Sequence, residues 1–170
     1  LVIEGGRIVD GSGNPWFHGD LGIRHGRIVV VAPAGTLGSA TAAERVDAHG
    51  LVVAPGFIDI QSHSRDALLT GDSRVVSKVT QGITTEIMGE GATNAPQNHR
   101  TGGDPAHDFR GPHGFSRWLE AMAARGASVN FGSFVGASTV RMYAKGMAQG
   151  PAKPAELDSM RMVVRQAMED

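Results

Sequence analysis

The feature that most constrains this sequence is a change of rhythm at Phe57. From there on, short apolar strand patterns alternate with runs of helical spacing. FIDIQSH (57–63) reads as a strand, and DSRVVSKVTQG (72–82) as a helix with Gly82 just past its end. ITTEIM (83–88) is the next strand. A long loop follows, from Gly89 to about Gly114. FSRWLEAMAARG (115–126) is a second helix, with Trp118, Leu119 and Met122 at helical spacing and Gly126 closing it. SVNFGSFVG (128–136) is a third strand, STVRMYAKG (138–146) a short helical turn, and a last helix begins near Pro154. Three strand–helix units in series imply α/β architecture, with parallel strands joined by right-handed crossovers. Three parallel strands cannot close a barrel. A (β/α)8 barrel takes about 250 residues, so its remaining units are expected beyond Asp170. A small doubly wound sheet is the alternative, but it leaves the preceding β-rich stretch unexplained.

That stretch, residues 1–54, reads as short strands with tight turns. LVIEGG, RIVD, DLGIRHGRIVVVAP and RVDAHGLVVAPG are rich in β-branched residues. Gly5-Gly6, Gly11-Ser12-Gly13 and Gly26 punctuate them. IRHGRIV has the look of a hairpin turning at His25-Gly26. His18, His25 and His49 lie near turns and read as surface residues. The expected division is therefore a β-rich portion, 1–54, and an α/β portion, 55–170.

The composition excludes some partners. A net charge of −1 with 19% charged residues gives no electrostatic reason to expect nucleic acid or an anionic membrane surface. The apolar runs are far short of a membrane span. The chain has no cysteine, so these residues offer neither disulfides nor thiolate ligands, which fits a reducing compartment and favours the cytoplasm. The chain opens on Leu1, already in a strand pattern, and its last helix meets no Gly, Asn or Pro. A piece of a longer protein is expected, with any targeting segment outside it.

In parallel α/β folds ligands gather at the carboxyl ends of the strands. The first strand end carries Gln61, Ser62, His63 and Ser64, and the second carries Glu90 between Gly89 and Gly91. The third carries Ser138, Thr139 and Arg141. Imidazole and carboxylate are ordinary zinc ligands, and successive strands are neighbours, so His63 and Glu90 could reach one ion. Other roles stay open: a hydrogen-bonded histidine under a loop, and a solvated or ion-paired carboxylate. The glycines beside Glu90 allow close backbone approach. Ser138 and Thr139 read as helix caps. His107 and His113 read as solvated residues of TGGDPAHDFRGPHG, in the long loop, and loops of such length are often lids.

Four stretches together carry a resemblance. IEGGRIVDGSG (3–13), VVAPGFIDIQSHS (52–64), KVTQGITTEIMGEG (78–91) and NFGSFVGASTVRMY (130–143) resemble the metal-dependent amidohydrolase superfamily, in its N-acyl-D-amino-acid deacylase branch. The resemblance implies a small β-sandwich completed by both ends of the chain, and a TIM barrel of which residues 55–170 give the first three βα units. It implies an HxH motif at the first barrel strand, where Gln61-Ser62-His63 matches only the second histidine. It implies a cysteine ligand after the second strand, where Gly91 stands and Glu90 lies one residue earlier. Further histidines and a catalytic aspartate would lie beyond residue 170. The implied reaction is hydrolysis of an N-acyl amino acid, of D configuration in this branch. One zinc ion would polarise the acyl carbonyl and acidify a bound water, and the aspartate would move the proton. Arg141 is a candidate for the substrate carboxylate, and Gln61 and Ser64 for hydrogen bonds to substrate or to His63. The implied partner is that small molecule, with a homo-oligomer left open. The 170 residues alone are expected to be inactive. Two alternatives remain: another amidohydrolase (a cyclic amidase, a carboxypeptidase-like enzyme or a lactonase), or a metal-free scaffold relative.

Overall fold

The computed structural model describes residues 1–103, 106–111 and 113–170. They form two compact units, Leu1–Pro55 and Gly56–Asp170. No described helix is long and apolar enough to cross a membrane.

The first unit is a mixed five-stranded sheet. It comprises β1 (Val2–Ile8), β2 (Phe17–Arg24), β3 (Arg27–Pro33), β4 (Arg45–Asp47) and β5 (Val52–Val53). The order is β3-β2-β1-β4, with β5 also on β1. β2 is antiparallel to β1 and β3, while β4 and β5 run parallel to β1. The hairpin turns at His25 and Gly26, both at positive φ (51° and 72°), as a twist-matched two-residue turn requires. Gly5-Gly6, expected to punctuate, does not break the strand. β1 runs through it with a register shift between Ile3 and Gly6, and Gly5 takes φ 69°. A β-carbon there would lie 2.3 Å from Nε2 of His49. Glycine therefore makes a bulge here, not a turn. The fully buried Asp20 accepts hydrogen bonds from the Gly5 and Leu37 N–H groups, each at 2.9 Å. The Leu37 N–H, opposed by burial and helped by Gly5, holds its carboxyl below the usual range.

In the second unit β6 (Phe57–Ser62), β7 (Ile83–Met88) and β8 (Asn130–Ser133) form a parallel sheet in that order. The helices are α1 (Arg65–Leu69), α2 (Val76–Val79), α3 (Gly114–Arg125), α4 (Ala137–Lys145) and α5 (Pro154–Glu169). The helix expected over 72–82 shrinks to the single turn of α2. The Asp72 carboxylate folds onto the Arg74 backbone N–H (3.1 Å) and guanidinium (2.7 Å), and Val75 sits at φ 41°. A local side-chain bond of this kind competes with the helical ladder. α1 is additional to the expected elements, and α4 is nine residues long where a short turn was expected.

The core of this unit joins α1, β7 and α3. Leu68, Met88, Trp118 and Met122 are fully buried, with Phe109 and Phe115 beside them. Burying each such side chain stabilises the fold by roughly 1.5–3 kcal/mol. Met88 defines which face of the sheet meets the helices. On the other face Phe57, Ile58 and Ile60 of β6 are exposed.

Candidate functional site

The tip of β6 is where the site begins, and its geometry depends on a bulge. Asp59 pairs with Glu86 and Ser62 with Met88, so three steps of β6 span two of β7. Side chains three apart on a regular strand face opposite ways. The extra residue cancels that alternation. Asp59 and Ser62 both turn to the side of Glu86 and Met88, the helix-covered side. Asp59 meets Lys78 of α2 at 2.6 Å and accepts the Gln61 N–H at 3.0 Å. Those two contacts, the lysine first, hold the Asp59 carboxyl below its usual range. Ser62 is buried and donates its hydroxyl to Oε2 of Glu86. Its oxygen also accepts the Ser64 N–H at 3.2 Å and lies 3.1 Å from Oγ of Ser64. Gln61, between the two pinned residues, remains exposed.

β7 ends beside it. Gly89 takes φ 82°, and a β-carbon there would lie 2.4 Å from the Phe134 carbonyl oxygen and from Oγ of Ser133. The close approach foreseen for the glycines around Glu90 thus applies to Gly89. Gly91 has nothing within 4 Å of such a carbon. Glu90 follows the turn and accepts a hydrogen bond from Nε2 of Gln61 at 2.5 Å. Farther on, Arg65 donates to the Ala92 carbonyl (2.8 Å), and the buried Thr139 hydroxyl clasps Thr93, accepting its N–H (2.8 Å) and donating to its carbonyl (2.9 Å). The Ser138 N–H reaches the Gly91 carbonyl at 2.9 Å. Gly136, not Ser138 or Thr139, occupies the N-cap of α4.

Gln61, Ser62, His63, Arg65, Glu90 and Ser138 line one cavity of about 270 Å³ at these strand ends. A second cavity of about 420 Å³ adjoins it, sharing Ala92 and Ser138 and lined by Thr93, Asn94, Gln97 and Thr101. Ser64 lies just behind, bonded to Ser62. Arg141 is placed differently: its guanidinium donates to the carbonyls of Ala148 (2.9 Å) and Gly150 (3.3 Å), and it lines neither cavity. Of the loop histidines, His107 stacks on Phe109 and His113 bonds Asp170 at 2.8 Å. Asp104, Pro105 and Pro112 of the same loop lie outside the described residues.

No known family profile matches the chain. The D-aminoacylase of Alcaligenes xylosoxydans xylosoxydans is 38% identical over 174 residues, covering 99% of this chain and 35% of that protein. Over almost its whole length this chain is similar to the N-terminal part of D-aminoacylase-like amidohydrolases. A D-aminoacylase structure determined to define the role of its binuclear metal centre superposes on 99% of this chain, with a TM-score of 0.81 and 32% identity. The N-acyl-D-glutamate deacylase of Bordetella bronchiseptica, complexed with zinc and a phosphonate mimic of the tetrahedral intermediate, does so with a TM-score of 0.79 and 31% identity. Each contributes 36% of its own length to the match, so the chain spans about a third of these relatives. Its mixed sheet and parallel three-stranded sheet match their N-terminal region.

Two residues at these strand ends escape a reading of the sequence alone. Arg65 carries a signal, being the basic residue straight after the polar strand tip. Glu86 carries another, being a charged residue inside the strand ITTEIM. It is fully buried, and its Oε1 has no hydrogen-bond partner among the described residues. An unpaired buried acceptor costs about 1–3 kcal/mol, so its retention at that place asks for an explanation.

Proposed function

We propose that this chain forms the opening part of an N-acyl-D-amino-acid deacylase: the start of a TIM barrel after part of a β-sandwich. The observation that carries the reading is the meeting of Gln61, His63 and Glu90 around one cavity at the ends of neighbouring parallel strands. The exposed apolar side chains of β6 suit the inside of a barrel, and the exposed Val29 and Val31 of β3 suit a sandwich interior. His63 and Glu90 would hold zinc. Their donor types fit the ion, and zinc when bound supplies a Lewis acid for amide hydrolysis. Among the described residues no cluster of three His, Cys, Asp or Glu side chains could hold a metal. Two donors are therefore half of the usual four, and the others would come from outside these residues.

The remaining roles belong to the chain itself. Gln61 orients the Glu90 carboxylate through its amide. Arg65, at the cavity wall, offers a fork-shaped cation to a substrate carboxylate, a part that Arg141 would take only by leaving two backbone carbonyls. Ser64 steadies the strand tip through Ser62. A second reading has one observation in its favour: the Gln61–Glu90 hydrogen bond satisfies both groups without an ion, as a metal-free scaffold relative would need.

The test is zinc analysis and amide hydrolysis by the full-length protein that carries these residues. N-acetyl amino acids of both configurations, with apolar and acidic side chains, are assayed beside cyclic amides. The deacylase reading expects about one zinc per chain and D-selective hydrolysis, both lost in His63→Ala and Glu90→Ala. A folded, metal-free protein inert toward every substrate favours the scaffold. Turnover of the cyclic amides alone favours a different amidohydrolase.

A further inference from the structure

We infer that Glu86 is the positioning residue of this site, acting through Ser62 to hold the bulge that presents Gln61 and His63. The inference deepens the deacylase reading and rests on it for its kinetic arm only. Glu86 belongs to neither cavity wall. It stands inside β7 on the helix-covered face, fully buried, with Oε2 accepting the Ser62 hydroxyl proton and Oε1 unpartnered among the described residues. A strand facing a hydrophobic layer loses stability by placing a carboxyl there. What the carboxyl achieves is local. Ser62 is the last residue of β6, one position from Gln61 on one side and from His63 on the other.

The strand is pinned twice across its extra residue. Lys78 and the Gln61 N–H fix Asp59 at one end, and Glu86 fixes Ser62 at the other. With both ends held toward the helices, Ile60 and Gln61 have only the opposite side to occupy, and Gln61 there reaches Glu90. Ser62 passes the constraint forward as well. Its oxygen, with its own proton committed to Glu86, accepts from the Ser64 N–H and thereby fixes the backbone on both sides of His63. Without the acceptor, the Ser62 hydroxyl is free to rotate and the bulge can relax to a regular pleat. A regular pleat reverses the facing of Gln61 relative to Asp59. The same bond satisfies one of the two oxygens of the carboxyl on the helix-covered face.

The experiment uses full-length protein with Glu86→Met, Glu86→Gln and Ser62→Ala. Methionine fills similar space and accepts no useful bond, whereas glutamine keeps a carbonyl acceptor for Ser62. The crystal structure of Glu86→Met is expected to lose the Gln61–Glu90 contact and to show β6 and β7 re-registered or Gln61 re-aimed. In steady-state kinetics, displacement of this order is expected to lower kcat by about 10- to 100-fold, with KM within about 2-fold. Glu86→Gln is expected to recover most of the loss, and Ser62→Ala to reproduce it. Should Glu86→Met fail to fold, Ser62→Ala probes the same strut from its other end. A folded Glu86→Met or Ser62→Ala protein that keeps the Gln61–Glu90 contact overturns the inference, whatever the substrate proves to be. So does a variant that loses thermal stability but keeps kcat. If wild-type protein hydrolyses no N-acyl-D-amino acid, the deacylase reading fails and the crystallographic comparison still decides the role of Glu86.

Discussion

Gly89→Ala should be among the most damaging single-methyl changes in this chain, and its magnitude follows from two separate costs. Gly89 sits at φ 82°, a left-handed conformation, where a β-carbon costs about 1–2 kcal/mol. The added carbon would also lie 2.4 Å from the Phe134 carbonyl oxygen and 2.4 Å from Oγ of Ser133, inside the 3.0 Å that real β-carbons respect. The carbonyl is backbone and cannot swing away, so β7 and β8 must part, at about 1–3 kcal/mol for overpacking. Together the loss is about 2–5 kcal/mol, which for a domain of 150–250 residues lowers the melting temperature by about 4–20 °C. Glu90, the zinc ligand proposed above, is the next residue, and on that proposal zinc affinity should fall with stability. The assay is thermal unfolding followed by circular dichroism, with zinc analysis, on Gly89→Ala and on Gly91→Ala. A methyl group placed on Gly91 meets nothing within 4 Å, and that variant should stay within about 0.5 kcal/mol of wild type. Equal melting temperatures for the two variants would refute the reasoning.

Asp20 should make stability depend on pH. Its carboxyl is lowered in the folded chain, so its contribution is fully present above the unfolded value of about 3.9 and lost as pH falls through the folded value. Urea midpoints of wild type and Asp20→Asn should therefore converge in acid, and a difference independent of pH would contradict this. Met122→Ala, in the fully buried core, should cost about 2–5 kcal/mol in urea unfolding. Met147→Ala, at a side chain 83% exposed, should cost under about 0.5 kcal/mol; equal effects would mean the core is misplaced.

Elements whose pattern is local are readable from the sequence. ITTEIM is β7 residue for residue, FSRWLEAMAARG differs from α3 by one residue at each end, and His25-Gly26 turns the hairpin. What escapes depends on partners distant in the chain. The β6 bulge exists only relative to the register of β7, and a single strand carries no sign of it. The shortening of the 72–82 helix comes from Asp72 capturing Arg74, a choice between two local structures that spacing does not decide. Residues expected at the strand ends divide in the same way. Gln61, His63 and Glu90 follow from strand ends and neighbour pairing, and they do line one cavity. Arg141 sits past the start of a helix longer than its spacing suggests, and the loop after that helix captures its guanidinium. Glu86 is hidden because strand alternation places it on the buried face, where apolar residues are the rule.

The most direct measurement is anomalous diffraction at the zinc edge from crystals of the full-length protein. The account predicts one peak within bonding distance of His63 and Glu90, about 2.0–2.2 Å from their donor atoms, in the cavity that Gln61 and Arg65 help to line. A peak bound by other residues, with Glu90 still held by Gln61, would contradict it.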